Sequence, residues 1–209
     1  MSATFLIISS GEALAACQQQ ERAIGGRNQT ATAYGSRSKA LVNDFGSNQD
    51  HTWRATGVWQ NSNNLAEAGW FVNSGTNQMA HPYRSYRISG VLTDVHYPSI
   101  NLTKGAFEAF RVVDPDDNNT YQFYYGNNQM GSNQINVPLN AGSSLAVTQS
   151  ESECSGDSLF AQFMELKRIA TQNGSFVPYT QVIQYISLNP GVYNYCPVAT
   201  DAYDVRQTC

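Results

Sequence analysis

Lysine is nearly missing from this 209-residue chain, which has only Lys39, Lys104 and Lys167. Charged residues of both signs make up just 13%, and the net charge is -4. Such a chain has no basic footprint for a phosphate backbone, so no nucleic-acid partner is expected. Phe5-Leu6-Ile7-Ile8 is a short apolar run, far too short to cross a bilayer, so no membrane span is expected. There is no GxSxG elbow, no HExxH, no Walker loop and no dinucleotide fingerprint. Those absences exclude the commonest serine, zinc, nucleotide and dinucleotide chemistries. Cys17, Cys154, Cys196 and Cys209 show no CxxC spacing, and His51, His81 and His96 are scattered. No cofactor and no metal are therefore expected. The run Asp114 to Asn119 starts like a calcium loop. It lacks the glycine at the sixth position and has Tyr125 where the twelfth should be acidic, so it reads as a hairpin turn between Phe110 and Phe123.

What is present is neutral and polar. Asn, Gln, Ser and Thr dominate, and a surface of neutral amides stays soluble when carboxylates protonate, which suits an acidic medium. Four cysteines form an even set, and four sequons start at Asn28, Asn101, Asn118 and Asn173. Together they point to an exported protein, extracellular or on the cell surface, glycosylated and with two disulfides. Three connectivities are open; Cys154 with Cys196 and Cys17 with Cys209 are favoured. Leu14-Ala15-Ala16-Cys17 resembles a lipoprotein cleavage box, but Gly11-Glu12 interrupts the apolar stretch and no positive region precedes it. Residues 1–27 are read as an N-terminal segment, with Glu12 to Gln20 as a short helix or an arm for self-association.

From Asn28 the pattern is β. Thr30 to Val42, Thr52 to Gln60, Leu65 to Val72, Tyr83 to Tyr97, Ala106 to Val113 and Thr120 to Tyr125 are rich in Thr, Val, Tyr and Phe. So are Ser144 to Gln149, Ser158 to Ile169 and Phe176 to Ile186. Leu159, Phe163, Leu166 and Ile169 would also fit a helix. A strand is preferred there, with Leu159, Ala161, Phe163 and Glu165 on one face and Phe160, Gln162, Met164 and Leu166 on the other. No repeat or linker interrupts the pattern, so residues 28–209 read as a single all-β domain, a sandwich or barrel.

The chain is organised around Leu65-Ala66-Glu67-Ala68-Gly69-Trp70-Phe71-Val72. Asn-rich turns flank it on both sides. Alternation puts Leu65, Glu67, Gly69 and Phe71 on one face and Ala66, Ala68, Trp70 and Val72 on the other. A carboxyl thus sits beside a glycine, where a ligand or another backbone can come close. The alternative is a solvated Glu on an open sheet. Trp70 points away from Glu67 and reads as core.

The run Ala31 to Val72 resembles the start of the neprosin-type domain. The matching features are Tyr34-Gly35, Thr56-Gly57-Val58-Trp59 and, most sharply, Glu67-Ala68-Gly69-Trp70. Ser150-Glu151-Ser152-Glu153-Cys154 and Asp157-Ser158-Leu159 are similar to bacterial secreted members. The resemblance implies a concanavalin-like antiparallel β-sandwich (jelly roll). It also implies a glutamic endopeptidase that hydrolyses polypeptides, after proline, through two glutamates across a concave sheet face. Glu67 matches the first glutamate; Glu153 is the first choice for the second and Glu151 the next. In such a pair one carboxylate takes a proton from water while the other, protonated, donates to the oxyanion and the leaving amine. Acidic pH favours the singly protonated state. Two other classes compete. Twelve tyrosines and three tryptophans would make a sugar-stacking platform for a carbohydrate-binding protein, with a polysaccharide-cleaving glycosidase as a variant. A structural surface protein, self-associating through Met1 to Cys17, would need only the amide-rich surface and the sequons.

Overall fold

The computed structural model describes residues 21–28, 33–43, 51–73, 79–140, 144–152, 160–179, 182–186, 194–199, 201–206 and 209. Sixteen strands and no helix occur among these residues. The first eight are β1 (Glu21–Asn28), β2 (Gly35–Leu41), β3 (His51–Asn61), β4 (Asn64–Asn73), β5 (His81–Ile88), β6 (Val91–His96), β7 (Phe107–Val113) and β8 (Thr120–Tyr125). Next come β9 (Asn128–Gln129), β10 (Ile135–Asn136), β11 (Leu145–Ser152) and β12 (Ala161–Ile169). The last four are β13 (Phe176–Pro178), β14 (Val182–Ile186), β15 (Asn194–Ala199) and β16 (Ala202–Arg206). They form two antiparallel sheets, a concanavalin-like sandwich. One has seven strands in the order β14-β1-β11-β3-β4-β5-β6. The other has nine, with the path β10-β8-β7-β2-β12-β16-β15, β13 beside β12 and β9 beside β8. No helix among the described residues is long and apolar enough to cross a membrane.

The core lies between the sheets. From the seven-stranded sheet come Val58, Ala66, Ala68 and Trp70, and from the other Phe110, Phe123, Phe163 and Tyr203, all fully buried. Burying the larger of these side chains, at about 1.5–3 kcal/mol each, is the main force holding the layers together. Two hydroxyl pairs also cross the core: Ser36 Oγ with Thr56 Oγ1 at 2.7 Å, and Thr148 Oγ1 with the Tyr203 hydroxyl at 2.8 Å. Arg54, on the inner face of β3, is buried over the Trp70 ring at 5.4 Å. It donates to the carbonyls of Phe160 at 2.6 and 3.1 Å, Trp53 at 2.7 Å and Glu151 at 3.4 Å.

Several expectations need correction. Tyr83 to Tyr97 is two strands, because Ser89 and Gly90 both adopt positive φ and turn the chain into a tight hairpin. His96 consequently pairs back onto Tyr83. Phe176 to Ile186 likewise divides into β13 and β14. In β12 the expected alternation holds for Ala161 and Phe163, both buried. It fails at Glu165, where the register against β2 shifts and φ is +53°. The extra residue swaps faces, so Leu166 enters the core and Glu165 turns outward. The sheet also begins at Glu21, ahead of the expected boundary at residue 28.

The cysteine pairing differs too. Cys196 bonds to Cys209, with Cα atoms 5.4 Å apart, so neither Cys154–Cys196 nor Cys17–Cys209 forms. The β15/β16 hairpin brings the chain end back along the strand that carries Cys196, with Arg206 opposite Asn194. Cys17, Cys154, Glu12 to Gln20 and the arm Met1 to Cys17 lie outside the described residues. The hairpin between β7 and β8 is as expected. Its buried Asp114 carboxyl accepts the Asn119 amide at 2.9 Å and the Asn118 amide at 3.3 Å.

Candidate active site

The outer face of the seven-stranded sheet is ordered in rows that cross the strands. Strand register places Val147, Gly57, Glu67, Ser85 and Asp94 in one row. The next row is Gln149, Ala55, Gly69, Tyr83 and His96, and the third is Glu151, Trp53, Phe71 and His81. Gly57, Ala55 and Gly69 leave a floor without bulky side chains. Trp53 and Trp59, both half-buried and on the same face of β3, stand at its two ends.

The Glu67 side chain leans over that floor into the neighbouring row. Its Oε2 accepts a hydrogen bond from Gln149 Nε2 at 2.7 Å, and its Oε1 accepts one from the Tyr83 hydroxyl at 3.3 Å. Gly69 makes this possible. A Cβ there would stand 1.9 Å from the Arg54 carbonyl oxygen and 2.8 Å from the Ala55 Cα, so β3 and β4 approach closely only because position 69 has no side chain. Gly57 is similarly constrained by the Ala66 carbonyl oxygen, 2.6 Å from a notional Cβ. The Glu-Ala-Gly-Trp segment is thus explained residue by residue. The acid reaches over the glycine, and the tryptophan, fully buried, fills the core on the opposite face.

The pair is withdrawn from water. Glu67 is 7% exposed, Gln149 2% and Tyr83 1%. A freely solvated Glu on an open face is therefore excluded. Burial pushes the Tyr83 hydroxyl well above its ordinary pKa, and the charges of Glu67, Glu151 and Asp94 and the hydrogen bond to Glu67 push it the same way. The phenol stays a donor. Two further polar atoms on this face, Gln149 Oε1 and Ser85 Oγ, are buried and make no hydrogen bond among the described residues. Buried polar atoms normally find partners, so these two are exceptions concentrated beside Glu67. Phe71, Ala55 and Tyr83 pack with Trp53 beside the carboxyl, and the exposed His96 ring stacks on Phe71 at 4.0 Å. His81 is buried, with Nδ1 2.8 Å from the Ile100 carbonyl oxygen. Among the described residues no three His, Cys, Asp or Glu side chains converge as metal ligands would.

Of the acids named from sequence, Glu67 lies in this site. Glu151 is on the same face at the end of β11, half-buried, two residues beyond Gln149. Glu153 lies outside the described residues. Gln149 and Tyr83 were not singled out. Gln149 alternates with Val147 and Glu151 on β11, but only the pairing of β11 with β3 brings it beside a carboxyl from β4.

No family model matches the chain, and no curated protein matches it. Solved structures do. Scytalido-glutamic peptidase bound to a transition-state analogue inhibitor superposes with a TM-score of 0.63 at 12% identity, over 90% of this chain and 98% of that one. The same peptidase with a peptide-based transition-state analogue gives 0.62 at 11% identity over the same shares. SCP-B, a member of the Eqolisin family of peptidases in complex with the tripeptide Ala-Ile-His, gives 0.61 at 12% identity, again over 90% and 98%. The fold resembles that of glutamic peptidases. The neprosin-type resemblance gains no family match.

Proposed function

We propose that the protein is a glutamic-type peptidase in which Glu67 works with the amide of Gln149. The observation that carries this reading is the buried 2.7 Å contact between Gln149 Nε2 and Glu67 Oε2, on a fold shared with glutamic peptidases. Ionised Glu67 takes a proton from a water whose oxygen attacks the scissile carbonyl carbon. The second N–H of Gln149 donates to the developing oxyanion. Tyr83, held neutral, keeps the carboxylate oriented through Oε1. As the tetrahedral intermediate collapses, Glu67 returns its proton to the leaving nitrogen and the C–N bond breaks. One carboxyl and one amide complete the cycle.

The expectation of two glutamates gives a different pH profile. With Glu67 and Gln149, activity follows the ionisation of a single carboxyl and shows one acid limb. With Glu153 or Glu151 as a second, protonated acid, the profile is a bell defined by two carboxyl titrations. Secretion, glycosylation and preference for bonds after proline belong to the same proposal. The Cys196–Cys209 bridge and the exposed sequon residues Asn101, Asn118 and Asn173 support an extracellular location.

The test is cleavage of a proline-rich polypeptide and a mixed peptide library across acid pH, by wild type and Glu67→Gln. We expect cleavage by the wild type and none by the variant, with unchanged Tm. A wild type inactive at every pH sinks the reading. One observation favours a second reading: Trp53 and Trp59 at the two ends of the floor also suit stacked sugar rings. Binding of a neutral oligosaccharide, lost in Trp59→Ala and accompanied by no peptide cleavage, would establish that alternative.

A further inference from the structure

The outer face of the nine-stranded sheet carries a charge arrangement that peptide hydrolysis does not use. Register places Arg111 of β7 opposite Arg37 of β2, and Arg37 opposite Lys167 of β12. Three cations therefore stand side by side on three adjacent strands, about 5 Å from one strand to the next. Lys39 lies on the same face of β2, two residues along. These are four of the chain's 12 lysines and arginines, in a protein of net charge -4. Like charges directly opposite each other weaken a sheet, so folding alone gives no reason for the row.

Two further observations mark the face as built. The bulge in β12 turns Glu165 outward at φ +53°, a conformation that costs a non-glycine residue energy and recurs at functional sites. Glu165 spends that strain on an ion pair with Lys39 and a second with Arg37 at 3.3 Å, which fixes both cations on the sheet. On the other flank the Arg111 guanidinium lies over the Tyr124 ring at 4.1 Å. The Tyr124 hydroxyl donates to Gln122 Oε1 at 2.5 Å. The heads remain reachable, since the side chains of Arg37 and Lys39 are 31% and 32% exposed. Four cations against one carboxylate leave the row electropositive.

We propose that this face binds a linear acidic polysaccharide, whose carboxylate or sulfate groups lie along the row Arg111–Arg37–Lys167. The row runs across the strands on an open face, which suits a chain laid on the sheet. An acidic peptide would instead add to a sheet edge through its backbone. A nucleic acid would need more phosphate contacts than three or four cations supply against a net negative protein. Tyr124, Gln122 and the adjoining Gln129 offer a ring and neutral amides for sugar hydroxyls.

The test uses the full chain and two immobilised polymers, polygalacturonate for carboxylate and dextran sulfate for sulfate, with neutral dextran as control. We expect retention on at least one acidic polymer at low salt and none on dextran. Arg111→Gln/Lys167→Gln should bind at least tenfold more weakly, and its salt dependence should be shallower. The double variant should keep or raise its Tm, because it relieves like-charge repulsion, and peptide cleavage should be unchanged. Preference for one polymer identifies the anionic group. No retention, equal retention of the double variant, or equal binding of polyglutamate or single-stranded DNA would overturn the proposal. A fall in Tm in the double variant would show that the row is a structural device instead. Failure of the peptidase reading would leave these binding measurements unaffected.

Discussion

The two outer faces of the sandwich use opposite means to hold charge. On the seven-stranded sheet a single carboxyl is hidden, over a glycine floor, between an amide and a phenol. On the nine-stranded sheet four cations lie half-exposed and are held by one carboxylate and a tyrosine ring. A hidden charge in low dielectric feels each neighbouring dipole strongly, which suits stabilising a transition state. A half-solvated charge is screened but easy to reach, which suits capturing a large anionic surface. The same strand geometry serves both ends, and the difference lies in which residues have no side chain beneath the charged group.

The sharpest way to break the contrast is Gly69→Ala. Its Cβ would stand 1.9 Å from the Arg54 carbonyl oxygen, and backbone cannot move aside as a side-chain tip can. We expect a loss of about 3 kcal/mol or more, enough to leave much of the protein unfolded, read by thermal and urea unfolding. Gly105→Ala is the control: a Cβ there meets nothing within 4 Å, and its φ of +79° costs only backbone strain. Equal effects at the two positions would mean that β3 and β4 are not in close contact at the floor.

Next in size is Gln149→Ala. Removing the donor should lower kcat about 10²- to 10³-fold with little change in KM, since the amide acts on the oxyanion. A change confined to KM would make Gln149 a ground-state contact. The smallest effect belongs to the other face. Lys39, by hydrogen bond and by charge, then Arg37 and Lys167, hold the Glu165 carboxyl below its ordinary 4.5, against its partial burial. A depressed acid stabilises the fold above its unfolded pKa and loses that contribution as pH falls through the folded value. The Tm difference between wild type and Glu165→Gln should therefore be widest near neutrality and close as the solution is acidified below about pH 4. Because Glu165 is about a third exposed, solvent screening keeps that difference small. A gap that widens on acidification would contradict the assignment.

Much of the fold was legible in the residues. β8 coincides with the expected run from Thr120 to Tyr125, and β4 extends the expected Leu65 to Val72 by one residue at each end. Period-two alternation put Glu67 and Trp70 on opposite faces, because that rule is local and geometric. Four things were hidden, each for a physical reason. The Ser89-Gly90 hairpin interrupts an otherwise strand-forming run with only one strong turn residue. The bulge at Glu165 inverts the alternation midway along β12, and no residue type there announces it. Gln149 becomes a site residue only through the register of two successive strand pairs, which is set by the whole sheet. The Cys196–Cys209 bridge is hidden in the same way, since a hairpin return decides it and spacing does not.

Arg54 grips the carbonyl of Glu151, near the end of β11, and that of Phe160, just before β12. Those strands belong to different sheets, so one side chain fixes both the point where the backbone departs the upper layer and the point where it joins the lower. A single buried cation thereby clasps the two layers together, at the end of the strand that carries Gln149.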